Sequence, residues 1–440
     1  MFSRSGSVRW LFVVLIGLGG SVRAEDWPQW MGPTRDGIWS ETGIARKLPG
    51  KLIPQWTAKV AGGYSGPAVA NGKVYVLDYQ RVSGEAKNDP NNRAESQGTE
   101  RILCLDAATG KELWKHEYPC AYQISYPCGP RVTPTISGGK VFALGAEGDF
   151  RVLNADTGEL LWKKNFPADY KAQTPIWGFC SHALVLGDRV YMIVGGEGSA
   201  VVCFEVATGK EIWKALSARE PGYSTPVLIE HGGRKQLIAF LADSLSSLEP
   251  ESGEKRWSLE VEPSYGMAIM MPRLFGDSLY AAGIDNVSLM AKLDPKQPQA
   301  AVDWRGDSKR SLYPVCPCPI VEADGTMYGV DRRGELRAVE FKTGKRLWQT
   351  LEPTTGDRPQ NSGTAFLTKN GDRYFLFNEK GELVIAELSK TGYKEISRSP
   401  LLEPTGEAFG RKVVWSHPAY ADKSIFARND KEIVRVSLAE

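Results

Sequence analysis

Four residues of this 440-residue chain, His182, Met271, Cys318 and His417, make up a soft donor set of the kind that binds copper. Each stands immediately before a proline or alanine. The same step recurs at Gly66-Pro67, Thr133-Pro134, Thr225-Pro226 and Thr364-Ala365, so eight such steps are spread along the chain. Two residues earlier, on the same side of an extended backbone, come Tyr64, Arg131, Cys180, Tyr223, Ile269, Cys316, Ser362 and Trp415. If these steps surround one axis, they form a two-tiered ring. Tyr64, Tyr223 and Trp415, with neighbouring Trp177 and Tyr313, would be apolar walls of a funnel, and Arg131, His182 and His417 its polar anchors. The bland alternative is that the same side chains fill and cap a narrow channel. No metal is expected, because donors drawn from four separated repeats cannot converge at bonds of about 2 Å. Only pairs such as Cys180 with His182, or Cys316 with Cys318, could approach one another.

Seven cysteines need a separate accounting. Cys104 and Cys203 take a slim position that Val, Ser or Ala fills in equivalent segments, which predicts buried, inert thiols. Cys120, Cys128, Cys180, Cys316 and Cys318 are the candidates for disulfides in an oxidising compartment. Cys120 with Cys128 would close a short loop, Cys128 with Cys180 would join adjacent repeats, and Cys316 with Cys318 would be strained. Spacing does not choose among these, and the odd total leaves at least one thiol free.

The elements that must position these residues are repeats. Thr109-Gly110 precedes Trp114, Thr157-Gly158 precedes Trp162, Thr208-Gly209 precedes Trp213, Ser252-Gly253 precedes Trp257, and Thr343-Gly344 precedes Trp348. With the degenerate Trp304, the tryptophans follow one another at 44 to 51 residues. Upstream of each lie short apolar runs around Gly-containing turns, as in Lys140–Leu144 followed by Glu147-Gly148-Asp149, which read as strands in hairpins. Four strands in roughly 45 residues is the size of a propeller blade. The tryptophans are expected to dock blades together, the Thr-Gly turn allowing close approach of an indole. The polar stretch 81–100 in the first blade reads as a mobile loop insertion.

The last segment, 413–438, has room for only three strands. The stretch 54–60, whose Trp56 sits where a blade-ending tryptophan belongs, supplies the fourth and closes the ring. The resulting expectation is an all-β, eight-bladed β-propeller of four-stranded antiparallel blades over 54–440, preceded by an arm at 25–53. Residues 1–24 read as a signal peptide: Arg4 and Arg9, an apolar run from Trp10 to Leu18, then Val22-Arg23-Ala24. That run is shorter than the roughly 18 residues a membrane span needs. Hence an exported chain, periplasmic or extracellular and monomeric, is expected.

The phrase Leu105-Asp106-Ala107-Ala108-Thr109-Gly110-Lys111-Glu112-Leu113-Trp114 resembles the pyrroloquinoline quinone (PQQ) repeat. That repeat occurs in eight-bladed quinoprotein dehydrogenases and in cofactor-free relatives such as the propeller lipoprotein of the outer-membrane β-barrel assembly machinery. The leading Asp26-Trp27-Pro28-Gln29-Trp30 is similar to the N-terminal arm of exported members, and is expected to clamp its aromatic residues onto the propeller face. The dehydrogenases resembled hold the quinone between a Trp and, commonly, a disulfide of adjacent cysteines, with Ca²⁺ on Glu, Asn and Asp oxygens. This chain has Cys316-Pro317-Cys318 in place of an adjacent pair, and no Cys-x-x-Cys-His for a haem. The resemblance therefore implies the cofactor-free branch: a non-catalytic scaffold or binding protein for a protein partner or small ligand. PQQ with Ca²⁺ in a degenerate oxidoreductase site is the alternative, and a carbohydrate-binding propeller the third reading.

Lys and Arg (54) nearly cancel Asp and Glu (52) without forming runs, which excludes nucleic acid as an expected partner. No Gly-x-Ser-x-Gly elbow, Walker loop or His-Glu-x-x-His occurs, so hydrolase and nucleotide chemistry find no support.

Overall fold

Runs such as Lys140–Leu144 and Asp149–Asn154 are buried on both sides of the pleat because both faces of each sheet are covered by neighbouring sheets. The computed structural model describes residues 25–85, 87–285, 287–310, 312–314 and 318–440. The expected signal peptide and Cys316 lie outside these. Among the described residues there are eight four-stranded antiparallel sheets and one two-stranded hairpin. Blade one consists of Ala68–Ala70, Lys73–Gly84, Ala94–Asp106 and Glu112–Ile124. Blades two to seven occupy 135–165, 184–215, 227–260, 273–305, 320–350 and 365–400. In blade eight, Ala419–Ala421, Ser424–Arg428 and Glu432–Ser437 are completed by Trp56–Lys59, with Trp56 opposite Arg435. The first strands of blades eight, one, two and three touch in succession, as do those of blades six and seven, which places the first strands at the axis. The protein is thus the expected eight-bladed propeller, closed by its N-terminal strand.

The core is divided among the interfaces between blades. One cluster joins Tyr75 and Leu77 of blade one to Val141 and Leu153 of blade two, and further clusters follow around the ring. The last packs Phe375 and Phe377 of blade seven and Tyr420 and Phe426 of blade eight with Val74 and Leu103 of blade one. Fully buried Arg428 reinforces this closure, donating to the carbonyls of Leu77 (2.8 Å) and Asn429 (3.0 Å).

Five ladder tryptophans sit opposite the slim residue of the preceding strand: Trp114 faces Cys104, Trp162 faces Val152, Trp213 faces Cys203, Trp257 faces Ser247 and Trp348 faces Ala338. A β-bulge follows the slim residue each time, turning the indole toward the next blade. There Nε1 donates to a carbonyl. The bonds are Trp56 to Ala107, Trp114 to Ala155, Trp162 to Val206, Trp213 to Pro250, Trp304 to Lys342 and Trp348 to Ser389, at 2.6–3.1 Å. Blade five has Asp294-Pro295-Lys296-Gln297-Pro298, without a glycine, in place of the Thr/Ser-Gly turn, and Trp257 instead bonds Gln236 of its own blade at 2.9 Å.

The turn glycines make room for the rings. Gly209 has φ +71°, and a Cβ built on it would lie 2.5 Å from the Trp162 ring. Gly209→Ala is therefore expected to cost about 2 kcal/mol or more, from left-handed strain and the clash together. Urea melts would show it, and an unchanged midpoint would contradict close ring-to-backbone docking.

Two expectations are corrected. The stretch 81–100 is mostly strand, since Lys73–Gly84, Ala94–Asp106 and Glu112–Ile124 extend together and only 85–93 departs from the ladder. Its polar residues misled because Gln80 to Gly84 are exposed strand, which needs no apolar side chains. The thiols of Cys120, Cys128, Cys180 and Cys318 are free. Cys120 is held in the apolar packing of blade one. The other three donate to acceptors of their own: Cys128 to Asp430 Oδ1 at 3.1 Å, Cys180 to Gly178 O at 3.6 Å and Cys318 to Met271 O at 3.5 Å.

Residues 25–53 cross one end of the axis. Trp27 exchanges backbone bonds with Val69 of blade one, Pro28 O accepts from Ile136 N of blade two, and Arg35 Nη2 donates to Thr225 Oγ1 of blade four at 2.7 Å. Arg273 of blade five donates to Arg35 O at 2.8 Å, Trp39 N bonds Lys369 O of blade seven, and Ala45 N bonds Leu438 O of blade eight. The arm is a cross-brace that closes this end of the channel.

Candidate functional site

Hydroxyls beside the first strands stitch the inner tier together. Ser65 Oγ donates to Val132 O (2.8 Å), Thr135 Oγ1 to Ala183 O (3.2 Å), Thr225 Oγ1 to His182 O (2.7 Å) and Ser224 Oγ to Met270 O (2.9 Å). The side chains left facing inward border a cavity of about 350 Å³, at the small end of ligand sites, which run roughly 300–1,000 Å³.

Of the eight residues expected at the funnel, Tyr64, Arg131, Trp177, His182, Tyr223, Trp415 and His417 line this one cavity, together with Gly66, Thr133, Cys180, Thr225, Ile269 and Ser362 of the two tiers. Tyr313 does not. It is buried in the cluster between blades five and six, its hydroxyl donating to Asp307 O at 2.5 Å. Met271 and Cys318 are buried in that cluster too, so the soft donor set does not assemble. Among the described residues no three His, Cys, Asp or Glu are grouped to hold a metal.

The principal residue not anticipated is Trp30. It comes from the arm and lines the cavity, its ring stacked on His182 with centroids 4.7 Å apart and 11° between planes, and edge-on to His417 at 6.2 Å. Its apparent role in sequence was that of an outer clamp, and only the arm's path across the axis turns it inward. Tyr126, Tyr265, Met267 and Phe409 were missed as well, because they lie in irregular connections outside the repeat register. Tyr265 and Phe409 are 65% and 44% exposed and form the outer lip.

The polar anchors differ in kind. Arg131 spends its fork on backbone: Nε donates to Trp177 O (2.7 Å), Nη2 to Ser125 O (2.8 Å) and Tyr126 O (2.7 Å), and Nη1 to Gly129 O, with the guanidinium 5.2 Å from the Tyr64 ring centroid. It positions the wall and has little left for a ligand. Both histidines are neutral. Burial pushes His417 down to about 4, and His182 falls well below the usual imidazole value through burial and the nearby charge of Arg35. His417 Nδ1 donates to Pro418 O at 2.9 Å, which leaves Nε2 as the lone-pair nitrogen. His182 Nε2 is buried without a partner, and the Tyr223 hydroxyl, beside the Trp177 amide, has none in hydrogen-bonding geometry.

The sequence matches the family described as outer membrane protein assembly factor BamB over residues 50–230, 98–310 and 242–440. The chain belongs to this family of PQQ-like propellers. No curated protein sequence matches it. In fold it is similar to the quinohemoprotein alcohol dehydrogenase from Comamonas testosteroni, at 13% identity with TM-score 0.62, over 94% of this chain and 80% of that one. The quinohemoprotein alcohol dehydrogenase ADHIIG from Pseudomonas putida HK5 aligns with the same figures. BamB from Moraxella catarrhalis aligns over 88% of this chain and 99% of its own, at 15% identity and TM-score 0.41.

The cavity does not fit a quinone held with Ca²⁺. Among the described residues its lining contains no Asp or Glu, and Asn91 is the one side-chain amide. A divalent cation taking six to eight oxygens, several of them anionic, finds no such set here.

Proposed function

We propose that this family member is an exported, non-catalytic binding propeller that takes a small ligand at the channel mouth. What carries the reading is that ring residues from seven blades and the arm's Trp30 border one mainly aromatic cavity, at whose end the arm closes the axis. Neutral histidines, a committed arginine and the lack of any lining carboxylate leave groups suited to recognition, with no general base paired to a nucleophile.

Adding PQQ with Ca²⁺ to the purified chain is expected to change neither quinone absorbance nor melting temperature. A clear shift in either would replace this reading with the oxidoreductase one. In a fragment and glycan panel read by tryptophan fluorescence, at least one small molecule is expected to bind the native chain and to lose binding in Trp177→Ala. A panel in which nothing binds would remove the small-ligand reading.

A protein partner is the second reading. It is favoured by Leu113, Leu161 and Ile212, which stand 41–49% exposed immediately before the docking tryptophans on the outer strands of three consecutive blades.

A further inference from the structure

Resting on the proposed pocket, we infer that its ligand is a flat, uncharged aromatic molecule carrying a hydrogen-bonding N–H or O–H, seated against Trp30 and bonded to His182 Nε2.

Charge excludes several alternatives. An anion has no free cation to meet, since Arg131 is the single cationic residue among the described lining residues and its donors already hold four carbonyls. A buried anion without a partner is strongly disfavoured. A quaternary ammonium would gain from the aromatic faces, but the lining adds no carboxylate and sets the Arg131 guanidinium in the wall. A sugar presents hydroxyls around its whole rim, whereas the polar side chains here are few and mostly short: Asn91, Thr133 and Ser362 beside the two histidines and Tyr223.

The positive case is the density and tilt of the rings. Trp177 stands 5.6 Å from Tyr223 and 6.2 Å from Tyr265, inclined at 56° and 76°, and Tyr126 stands 6.0 Å from Trp415 at 40°. Rings so inclined offer both edges and faces to a planar guest, the arrangement that aromatic pairs favour. Within this apolar enclosure His182 Nε2 is an unpaired polar atom, and its ring is locked by stacking on Trp30. An unmet buried polar group is costly, and a ligand N–H or O–H would relieve that cost. The Tyr223 hydroxyl provides a second point at the same wall. With the His182 ring neutral, its Nδ1–H tautomer offers the Nε2 lone pair to such a donor without proton transfer.

The test is a matched pair of fluorescent probes added to the full exported chain. N-phenyl-1-naphthylamine is neutral with one N–H, and 8-anilinonaphthalene-1-sulfonate is the same skeleton with an anionic group. The neutral probe is expected to bind one site per chain, and the sulfonate about tenfold or more weaker. His182→Phe keeps a ring against Trp30 and removes the nitrogen; it is expected to weaken the neutral probe about fivefold or more. Tyr223→Phe, which removes only a hydroxyl, gives a second reading of the wall should His182→Phe fold poorly, with about threefold weakening expected. Equal affinity for the two probes, or neutral-probe affinity unchanged in a folded His182→Phe chain, would overturn the inference. If the neutral probe does not bind but a sugar or a quaternary ammonium does, and Trp177→Ala abolishes it, the ligand class is wrong and the pocket reading stands. If no small molecule binds, both fall.

Discussion

Replacing Trp39 with alanine is expected to lower the unfolding free energy by about 3–5 kcal/mol, the range for deleting a large buried aromatic side chain. Trp39 is fully buried where the arm meets blades seven and eight, its ring 5.6 Å from Phe375 and 5.1 Å from Tyr420. Its indole Nε1 donates to Glu41 Oε2 at 2.7 Å, and its carbonyl accepts from Asn370 Nδ2 at 2.8 Å. The hole would open beside the strand set that closes the ring, where Trp56–Lys59 must hold against Glu432–Ser437. Loosening there propagates, because each blade is stabilised chiefly by its two neighbours. Trp30→Ala provides the contrast. Half-buried Trp30 packs mainly against His182 and His417, so its loss should lower stability much less while weakening any ligand in the axial cavity. Chemical denaturation of both variants, alongside probe binding, separates brace from floor. A Trp39→Ala chain as stable as the native one would mean that the arm is not part of the folded unit.

Acid should destabilise the protein across a window set by its buried histidines. His417 has its folded value pushed down to about 4 from 6.5, and His182 lies well below 6.5. Between those limits the unfolded chain binds more protons than the folded one. The contribution is therefore fully present above pH 6.5, is lost as pH falls toward 4, and for His417 levels off below that. For His417 alone the loss is about 3 kcal/mol, at 1.36 kcal/mol per pH unit. Buried Glu100, held by the hydroxyls of Tyr118 and Tyr122 and the amide of Ala146, is shifted upward by burial and acts with opposite sign. Comparing the native chain with His417→Asn isolates the histidine. The variant should be less stable near neutrality and show a flatter decline between pH 6.5 and 4. Parallel pH profiles for the two chains would contradict a neutral, desolvated His417 at the axis.

How much of this was legible beforehand depended on whether a residue's role repeats. Trp114, Trp162, Trp213 and Trp348 announced the fold because each meets the same environment: a slim cross-strand partner, a bulge and the next blade's backbone. Tyr64, Arg131, His182, Tyr223, Trp415 and His417 were legible as one ring for a related reason, since a step at constant blade register is carried to the axis by symmetry. Their chemistry was not. Arg131 read as a ligand anchor, and only the fold shows its fork spent on four carbonyls of the 125–131 turn and Trp177.

Tyr313 and Trp30 mark the limit from both sides. The local sequence put Tyr313 next to the ring, but its backbone carries it into the interface between blades five and six. Trp30 is distant from every ring residue along the chain, yet it reaches them because the arm crosses the closed end of the channel. The sequence by itself determined the blade, the number of blades and the closing strand, since these follow from short-range strand patterns and one repeated docking contact. Tertiary structure alone decided which side chains share the cavity and which polar atoms remain free, because those depend on non-repeating loops and on an arm whose path is set by contacts made hundreds of residues away.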